Sequence, residues 1–251
     1  MAMSLDASLV KLWFGNATQS QVYGKIGQMR IELVIFDIAG TTVEDLNGVG
    51  GCLKAALEAE GVLSNADEIN AQMGIPKPLA IGALLKLAGE PEDDRRIRAI
   101  HADFQRRMID FYQTSPDVRE VAGAAEVFRT LRSRGIKVGL DTGFDRSIVD
   151  VILGRLGWND DLLDASVTSD EVSRGRPFPD LVFEMMRRTS VDNVKAIAKV
   201  GDTPSDLQEG TAAGCGLVIG VTDGTHSREL LELHPHTHLV KSVRDVPAVL
   251  C

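Results

Sequence analysis

The sequence predicts an α/β fold with a Rossmann-like, doubly wound parallel sheet and an all-helical insert after the first strand. The run IELVIF at 31–36 is β-favouring and almost wholly apolar, which suits a strand covered on both faces. From residue 121 onward, strand and helix patterns alternate, as they do in parallel sheets with right-handed crossovers. No strand pattern interrupts residues 45–117, and this interruption of the alternation predicts the helical insert.

The chain has the size and composition of a globular protein, with 251 residues of which 44% are apolar and 25% charged. This length allows a core without disulfides, and no apolar run approaches the roughly 20 residues of a membrane span. The net charge of −9 repels polyanions, so we expect no nucleic-acid partner and no membrane partner. Three cysteines without CxxC spacing argue for a reducing compartment, and we expect a cytoplasmic protein.

Three segments are predicted along the chain. Residues 1–28 are expected to be an N-terminal extension outside the fold, because their apolar residues are scattered and form no signal-peptide core. The sheet domain is predicted to comprise residues 29–44 and 118–251, and residues 45–117 form the helical insert.

The insert contains three predicted helices. Residues 52–60 and 78–88 carry apolar side chains at helical spacing, and the two patterns stop at Gly61 and Gly89. A third, longer helix is predicted from residue 91. Its apolar stripe consists of Ile97, Ile100, Phe104, Met108 and Phe111.

The sheet domain continues after the insert with alternating elements. In chain order these are helix 121–134, strand 136–141, helix 145–156, strand 165–168, helix 179–188, strand 195–200, helix 204–213 and strand 216–221. The tail LHPHTHLV at 233–240 holds three alternating histidines, but Pro235 interrupts any regular element. We therefore expect a turn there rather than a zinc site.

Polar residues follow the predicted strands where ligands of such sheets bind, beyond the carboxyl ends. They are Asp37, Thr142, Arg176 and Asp202. Guanidinium and hydroxyl groups hold phosphate-like oxygens, and carboxylates hold a hard cation such as Mg²⁺. An aspartate can also attack phosphorus, because a bound cation reduces the repulsion between an anionic nucleophile and an anionic substrate.

These residues lie in segments that resemble the four ordered motifs of the haloacid dehalogenase-like (HAD) hydrolase superfamily. The segments are DIAGTT at 37–42, DTGF at 141–144, GRPFPD at 175–180 and GDTPSD at 201–206. Most phosphatases of that superfamily carry a second aspartate two positions after the nucleophile, where this chain has Ala39. Ala39 and Arg176 together make the chain most similar to the phosphonatase branch, the phosphonoacetaldehyde hydrolase-like proteins.

The resemblance implies a metal site and a phosphonate site. Asp37 would be the nucleophile and a Mg²⁺ ligand, and Ala39 would offer its backbone carbonyl to the metal. The other carboxylates toward the metal would be Asp202 and Asp206, the latter as a ligand or as support. The phosphonate oxygens would be held by Thr142, Gly143 and Arg176.

The resemblance also implies a Schiff-base lysine in the insert. Phosphonatase-like proteins have it in an MGxxK segment, and this chain has MGIPK at 73–77. Lys77 would form an imine with the carbonyl of a 2-oxoalkylphosphonate, since cleavage of a C–P bond otherwise expels a carbanion. Met73 and Gly74 would shape the loop that covers the substrate. A helix beginning at Pro78 would lower the pKa of the lysine through its dipole.

Three positions depart from typical phosphonoacetaldehyde hydrolases. Asn47, Ala80 and Phe144 stand where those proteins have a cysteine, a histidine and a tyrosine. The substrate is therefore expected to be phosphonoacetaldehyde or a relative of it. Alternatives are a HAD phosphatase acting on a small phosphomonoester and a catalytically silent phosphometabolite-binding protein. Family members commonly form dimers through this insert, and a homodimer is compatible with its apolar stripe.

Overall fold

Six parallel strands form the centre of the part of the chain that the computed structural model describes, residues 30–250. They lie in the order β3-β2-β1-β4-β5-β6. Their bounds are β1 Leu33–Phe36, β2 Lys137–Thr142, β3 Ala165–Thr168, β4 Ile197–Gly201, β5 Leu217–Val221 and β6 His238–Val240. The predicted extension 1–28 lies outside the described residues.

Helices cover both faces of this sheet and fill the insert. They are α1 Gly48–Ala59, α2 Ala66–Asn70, α3 Lys77–Leu87, α4 Asp94–Thr114, α5 Ala124–Ser133, α6 Arg146–Leu156, α7 Asp180–Thr189, α8 Pro204–Ala213, α9 Arg228–Leu231 and α10 Val246–Val249. The parallel sheet with flanking helices confirms the predicted fold class. None of the described helices is long and apolar enough to cross a membrane.

The central strand β1 is buried on both faces, as its apolar run predicts. Successive side chains of a strand point to opposite faces. Val34 and Phe36 accordingly belong to one hydrophobic cluster, which includes residues of α1, α4, α5 and α6. Leu33 and Ile35 belong to a second cluster with residues of α7 and α8. The two clusters are the two cores of a doubly wound sheet.

Most predicted elements agree with the structure to within a few residues, and helix 204–213 agrees at both ends. The third insert helix begins at Asp94 rather than near residue 91, because the Asp93 side chain caps it. The short helices α2, α9 and α10 were not predicted. The turn predicted at 233–240 was wrong for its last three residues, since β6 pairs there with β5 at the edge of the sheet. Pro235 precedes this strand and does not prevent it.

The two chain connections between the sheet domain and the helical insert run side by side. Val43 forms an isolated antiparallel bridge with Glu120, and the Val121 N–H donates to the Thr42 carbonyl at 2.8 Å. Helices α1 to α4 lie between these connections without a strand in residues 48–114. The boundaries 45–117 of the insert stay a prediction.

The apolar stripe of α4 packs inside the chain. Ile100, Phe104 and Met108 have no exposed surface and share the hydrophobic cluster that reaches the sheet. The stripe is thus used for packing within the chain. A homodimer through the insert stays a prediction, and its interface would have to use a surface other than this stripe.

Candidate active site

A pocket lies where the carboxyl ends of the central strands meet the helical insert, as expected for a doubly wound sheet. Its lining comes from strand-end loops of the sheet domain and from α1, α3 and the MGIPK segment. The lining residues are Asp37, Ala39, Asp45, Val49, Met73, Gly74, Lys77, Thr142, Gly143, Phe144, Arg176, Thr203 and Thr225. All the predicted site residues line this pocket except Asp202 and Asp206.

Those two aspartates lie next to Asp37. Oxygen atoms of Asp37, Asp202 and Asp206 are within 4.8 Å of one another, and all three side chains are buried. Asp202 accepts hydrogen bonds from the Thr41 hydroxyl at 2.6 Å and from the Thr225 backbone N–H at 2.7 Å. Converging carboxylate oxygens are the donors that hard divalent cations prefer. The cluster can therefore hold a metal ion.

Asp206 has one oxygen engaged by the fold and one that lacks a hydrogen bond. Its Oδ2 accepts from the hydroxyl and the backbone N–H of Thr203, at 2.6 Å and 3.1 Å, in a capping box at the start of α8. Its Oδ1 lies 2.9 Å from Arg176 Nη1 and 3.2 Å from Lys199 Nζ, and it accepts no well-aligned hydrogen bond. This oxygen therefore already faces two cationic side chains, and the feature that indicates a metal is the set of three converging carboxylates.

Arg176 is fully buried at the centre of the site. Its Nη1 lies 2.6 Å from Asp37 Oδ1, and its Nε donates to Glu209 Oε2 at 3.1 Å. Its Nη2 donates to the Asp141 carbonyl at 2.9 Å and contacts the Asp141 carboxylate. Carboxylates on several sides hold the guanidinium in one orientation, with Nη1 directed at the nucleophile predicted at Asp37.

Burial raises the pKa of Asp37 well above its usual value, and the positive charge of Arg176 opposes this increase. The negative charges of Asp206 and Asp202 add to the increase. A cation bound among these carboxylates would favour the ionised form of Asp37, the form in which a carboxylate attacks phosphorus.

Lys77 enters the pocket from the first residue of α3. It is only 3% exposed, and its Nζ lies 5.8 Å from the ring centroids of both Phe104 and Phe144. Burial is the main cause that lowers the pKa of Lys77 to about 8, and the nearby charges of Asp37 and Asp45 oppose it. The structure thus brings a weakly basic amine into the same pocket as Asp37.

Close backbone contacts hold the MGIPK segment against the loops of the sheet domain. A Cβ added to Gly74, whose φ is +82°, would overlap the Thr203 hydroxyl, and one added to Gly143 would lie 2.9 Å from the Ile75 carbonyl oxygen. Glycine at these positions permits the approach because it has no Cβ. The contacts are Gly74 with Thr203, Gly143 with Ile75 and Gly175 with Pro76.

The family model for haloacid dehalogenase-like hydrolases matches residues 31–214. The chain belongs to this family. A phosphonoacetaldehyde hydrolase from Bacillus cytotoxicus is 34% identical to this HAD-like hydrolase over 212 residues, 78% of each chain. These matches confirm the resemblance on which the site was predicted.

Solved structures agree on the fold of the HAD-like hydrolase. A hydrolase from Pseudomonas syringae superposes with a TM-score of 0.79 at 20% identity, covering 87% of this chain and 97% of the other. A phosphonoacetaldehyde hydrolase-like protein from Oleispira antarctica has a TM-score of 0.74 at 23% identity, with 88% and 91% covered. At these identities the likeness concerns the fold alone.

A buried charge cluster beneath Arg176 was not predicted from the sequence. The ammonium of Lys199 contacts the Asp141 carboxylate, and it lies 3.0 Å from Glu209 Oε2. Burial and the neighbouring Asp141 raise the pKa of Glu209 to about 8. The sequence did contain a signal for this cluster, because Asp141 and Lys199 lie inside the strand patterns IKVGLD and KAIAKV. Strands of a parallel sheet are covered on both faces, so charged residues within them are expected to be buried and paired.

Sequence reasoning also missed Asp45 as a residue of the site. It lies between β1 and α1, and it lines the pocket with Lys77. Of the three positions that depart from typical phosphonoacetaldehyde hydrolases, Phe144 lines the pocket, whereas Ala80 is buried in α3 and Asn47 is exposed. No sequence motif marked Asp45, because only the fold brings it near the lysine.

Proposed function

We propose that this HAD-like hydrolase is a phosphonatase. It hydrolyses the C–P bond of a small 2-oxoalkylphosphonate, phosphonoacetaldehyde or a close relative, in the cytoplasm. The observation that carries the proposal is the position of Lys77, a buried amine that lines one pocket with Asp37. The names of relatives such as the Bacillus cytotoxicus enzyme support the same reaction.

The first step assigned to the pocket is imine formation on Lys77. Only a neutral amine attacks a carbonyl carbon, and a pKa of about 8 leaves roughly a tenth of the lysine neutral at pH 7. The rings of Phe104 and Phe144 exclude water around Nζ, so the amine loses part of the hydration that stabilises its charged form. A protonated imine next to the C–P bond then accepts the electron pair that leaves with carbon.

The second step is attack of Asp37 on phosphorus. The Asp37–phosphorus bond forms, the C–P bond breaks, and the released electron pair converts the imine into an enamine. Because carbon rather than an alkoxide leaves, no general acid is required two residues after the nucleophile. Ala39, which has no proton to donate, is consistent with this chemistry. Hydrolysis of the aspartyl-phosphate then releases phosphate.

A magnesium ion fits the carboxylate cluster. Asp37, Asp202 and the Ala39 backbone carbonyl would hold it, and Asp206 would be a further ligand or a support. The cluster of buried carboxylate oxygens is the feature that matches a hard cation. When bound, the ion supplies positive charge that reduces the repulsion between Asp37 and an anionic substrate.

The phosphonate group is assigned to the pocket residues beside Asp37. Thr142, the Gly143 backbone and Arg176 would bind its oxygens, and Met73 and Gly74 would close the pocket above it. Asp141 and Glu209 hold the far side of the Arg176 guanidinium, which keeps its Nη1 directed into the pocket.

Borohydride reduction tests the proposal directly. The protein is incubated with phosphonoacetaldehyde and Mg²⁺, reduced with borohydride and digested. The mass of the peptide containing Lys77 is then measured by mass spectrometry. We expect loss of activity together with a reduced adduct on Lys77, and phosphate release in the absence of borohydride. Failure to find an adduct with this substrate and with other 2-oxoalkylphosphonates would contradict the proposal. Phosphate release from esters alone would indicate a phosphomonoesterase, and no release from any substrate would indicate a binding protein.

A further inference from the structure

Asp45 lies in the reaction pocket and at the mouths of two outward clefts. It lines the pocket with Lys77, a polar cleft with Asn47 and Asn70, and a third cleft that includes Arg244. Its Oδ1 accepts a hydrogen bond from the Val49 backbone N–H at 3.1 Å, at the start of α1. The backbone thus anchors the carboxylate, and Asp45 lines both the pocket that holds the lysine and the clefts that open outward.

The other carboxylates near Lys77 are engaged elsewhere. Asp37 is paired with Arg176 and is assigned to the attack on phosphorus. Asp145 lies 3.0 Å from the Nε2 of His101 on α4, contacts the Gln105 amide, and does not line the pocket. Among the described residues that line the pocket, the carboxylates are Asp37 and Asp45. Asp45 is therefore the carboxylate available to the amine.

Imine chemistry needs a group that moves protons. A carbinolamine loses its oxygen only as water, so that oxygen must receive a proton. The thiol, imidazole and phenol of typical phosphonoacetaldehyde hydrolases are replaced here by Asn47, Ala80 and Phe144. Among these three, only the Phe144 side chain lines the pocket, and its ring carries no titratable group.

We propose that Asp45 is the proton-transfer residue of the Lys77 imine, an inference that rests on the proposed phosphonatase function. In the forward step the Asp45 carboxyl gives its proton to the carbinolamine oxygen, the C–O bond breaks, and water leaves. The nitrogen lone pair forms the C=N bond of the protonated imine. After C–P cleavage and protonation of the enamine carbon by solvent, water adds to the second imine. Release of the aldehyde and the neutral amine returns one proton to the Asp45 carboxylate.

The surroundings of Asp45 agree with this role. Burial raises its pKa above the ordinary value, which increases the protonated fraction, and the backbone N–H groups of Val49 and Gly48 and the charge of Lys77 oppose this increase. A higher pKa keeps more of the carboxyl protonated, and it makes the carboxylate a better base when the proton returns.

The test compares Asp45→Asn with Glu44→Gln. Asparagine retains an oxygen that can accept the Val49 N–H, but it has no carboxyl proton to transfer. Glu44 is the neighbouring carboxylate, pairs with Arg119 at 2.7 Å, and does not line the reaction pocket. The rate of borohydride trapping on Lys77 is measured with phosphonoacetaldehyde for both variants and the wild type. We expect Asp45→Asn to slow trapping by about 10²- to 10⁴-fold and Glu44→Gln to leave it near the wild-type rate.

Two further measurements separate the possible outcomes. Added formate should restore trapping in Asp45→Ala. The single-turnover rate of imine formation by the wild type should fall in D₂O. Absence of both effects overturns the inference, even where Asp45→Asn folds poorly. Equal trapping by Asp45→Asn and the wild type overturns the role of Asp45 but leaves the phosphonatase proposal intact. No trapping by the wild type overturns both.

Discussion

At the scale of single residues, Lys77 is an ordinary lysine whose amine is made reactive by its position in the fold. Most lysines are exposed and charged at neutral pH. Lys77 is buried between Phe104 and Phe144, and this burial lowers its pKa to about 8. Lys86, in the last turn of the same helix, is exposed and offers a natural comparison.

Replacing Lys77 with arginine should abolish cleavage of the C–P bond. Arginine retains the positive charge but cannot form an imine, so we expect phosphate release from phosphonoacetaldehyde to fall to background. Lys86→Arg is the matched control and should retain wild-type turnover. The measurement is phosphate release with a parallel aldehyde assay. Normal aldehyde release by Lys77→Arg would contradict the imine mechanism.

The pH dependence of Lys77 acetylation by acetic anhydride should report the pKa of Lys77, because this reaction needs a neutral amine but no proton from Asp45. The pKa of about 8 lies below the ordinary lysine value of 10.5, so the neutral fraction of the amine increases with pH up to about 8 and then levels off. We expect the rate of Lys77 acetylation to rise about tenfold per pH unit on the acid side. A rate that is flat below pH 8, or that still rises above pH 10, would show that another group controls the step.

At the scale of elements, the pocket depends on the fit between the MGIPK segment and three loops of the sheet domain. These contacts require glycine at Gly74, Gly143 and Gly175, where added Cβ atoms would collide with the facing chain. The segment leads directly into α3, so its position also sets the position of Lys77. Loop geometry and amine position are therefore coupled.

Gly74→Ala should impair catalysis more than its effect on stability explains. Gly74 has a φ of +82° and faces the Thr203 hydroxyl, whereas Gly89 has a φ of +73° and no atom within 4 Å of its added Cβ. Both alanine substitutions should destabilise the fold by about 1 kcal/mol through backbone strain. Only Gly74→Ala should also lower kcat/KM, because the segment must move away from Thr203. Unfolding curves and steady-state kinetics of the two variants test this, and equal kinetics would refute the coupling.

At the scale of the whole molecule, buried charges connect β2, β4 and α8 beneath the pocket. Lys199 and Arg176 both contact Asp141, and both lie within ion-pair distance of Glu209. Removing one partner of a buried pair leaves an uncompensated charge, which is costlier than losing a solvent-exposed pair. The cluster thus links the stability of the sheet to the orientation of Arg176.

Lys199→Met should destabilise the protein by about 3–5 kcal/mol, since methionine fills a similar volume but leaves the buried carboxylates of Asp141 and Glu209 with one cation, Arg176, instead of two. The control is Lys54→Met, which removes the exposed pair between Lys54 and Glu58 and should change stability by about 0.5 kcal/mol or less. Urea-induced unfolding of the two variants gives the comparison. Similar midpoints would mean that the buried cluster contributes little.

The fold class and the strand-end residues could be predicted because they depend on local patterns. Apolar periodicity marks strands and helices, and residues directly after parallel strands meet at one edge of the sheet. The short elements α2, α9, α10 and β6 were missed because their patterns are brief, and β6 depends on pairing with β5. The charged residues Lys199 and Asp141 interrupt apolar strands, and their pairing becomes visible only when β2 and β4 are packed on β1.

The sequence by itself determined the doubly wound sheet, the helical insert, the four motif segments and the lysine of MGIPK, because each of these is encoded in residues adjacent along the chain. The tertiary structure alone decided that Lys77 is buried in the same pocket as Asp37, that Asp45 shares this pocket, and that Arg176 is held among carboxylates. Those features depend on burial and on through-space charge between residues far apart in the chain, and no local pattern records them.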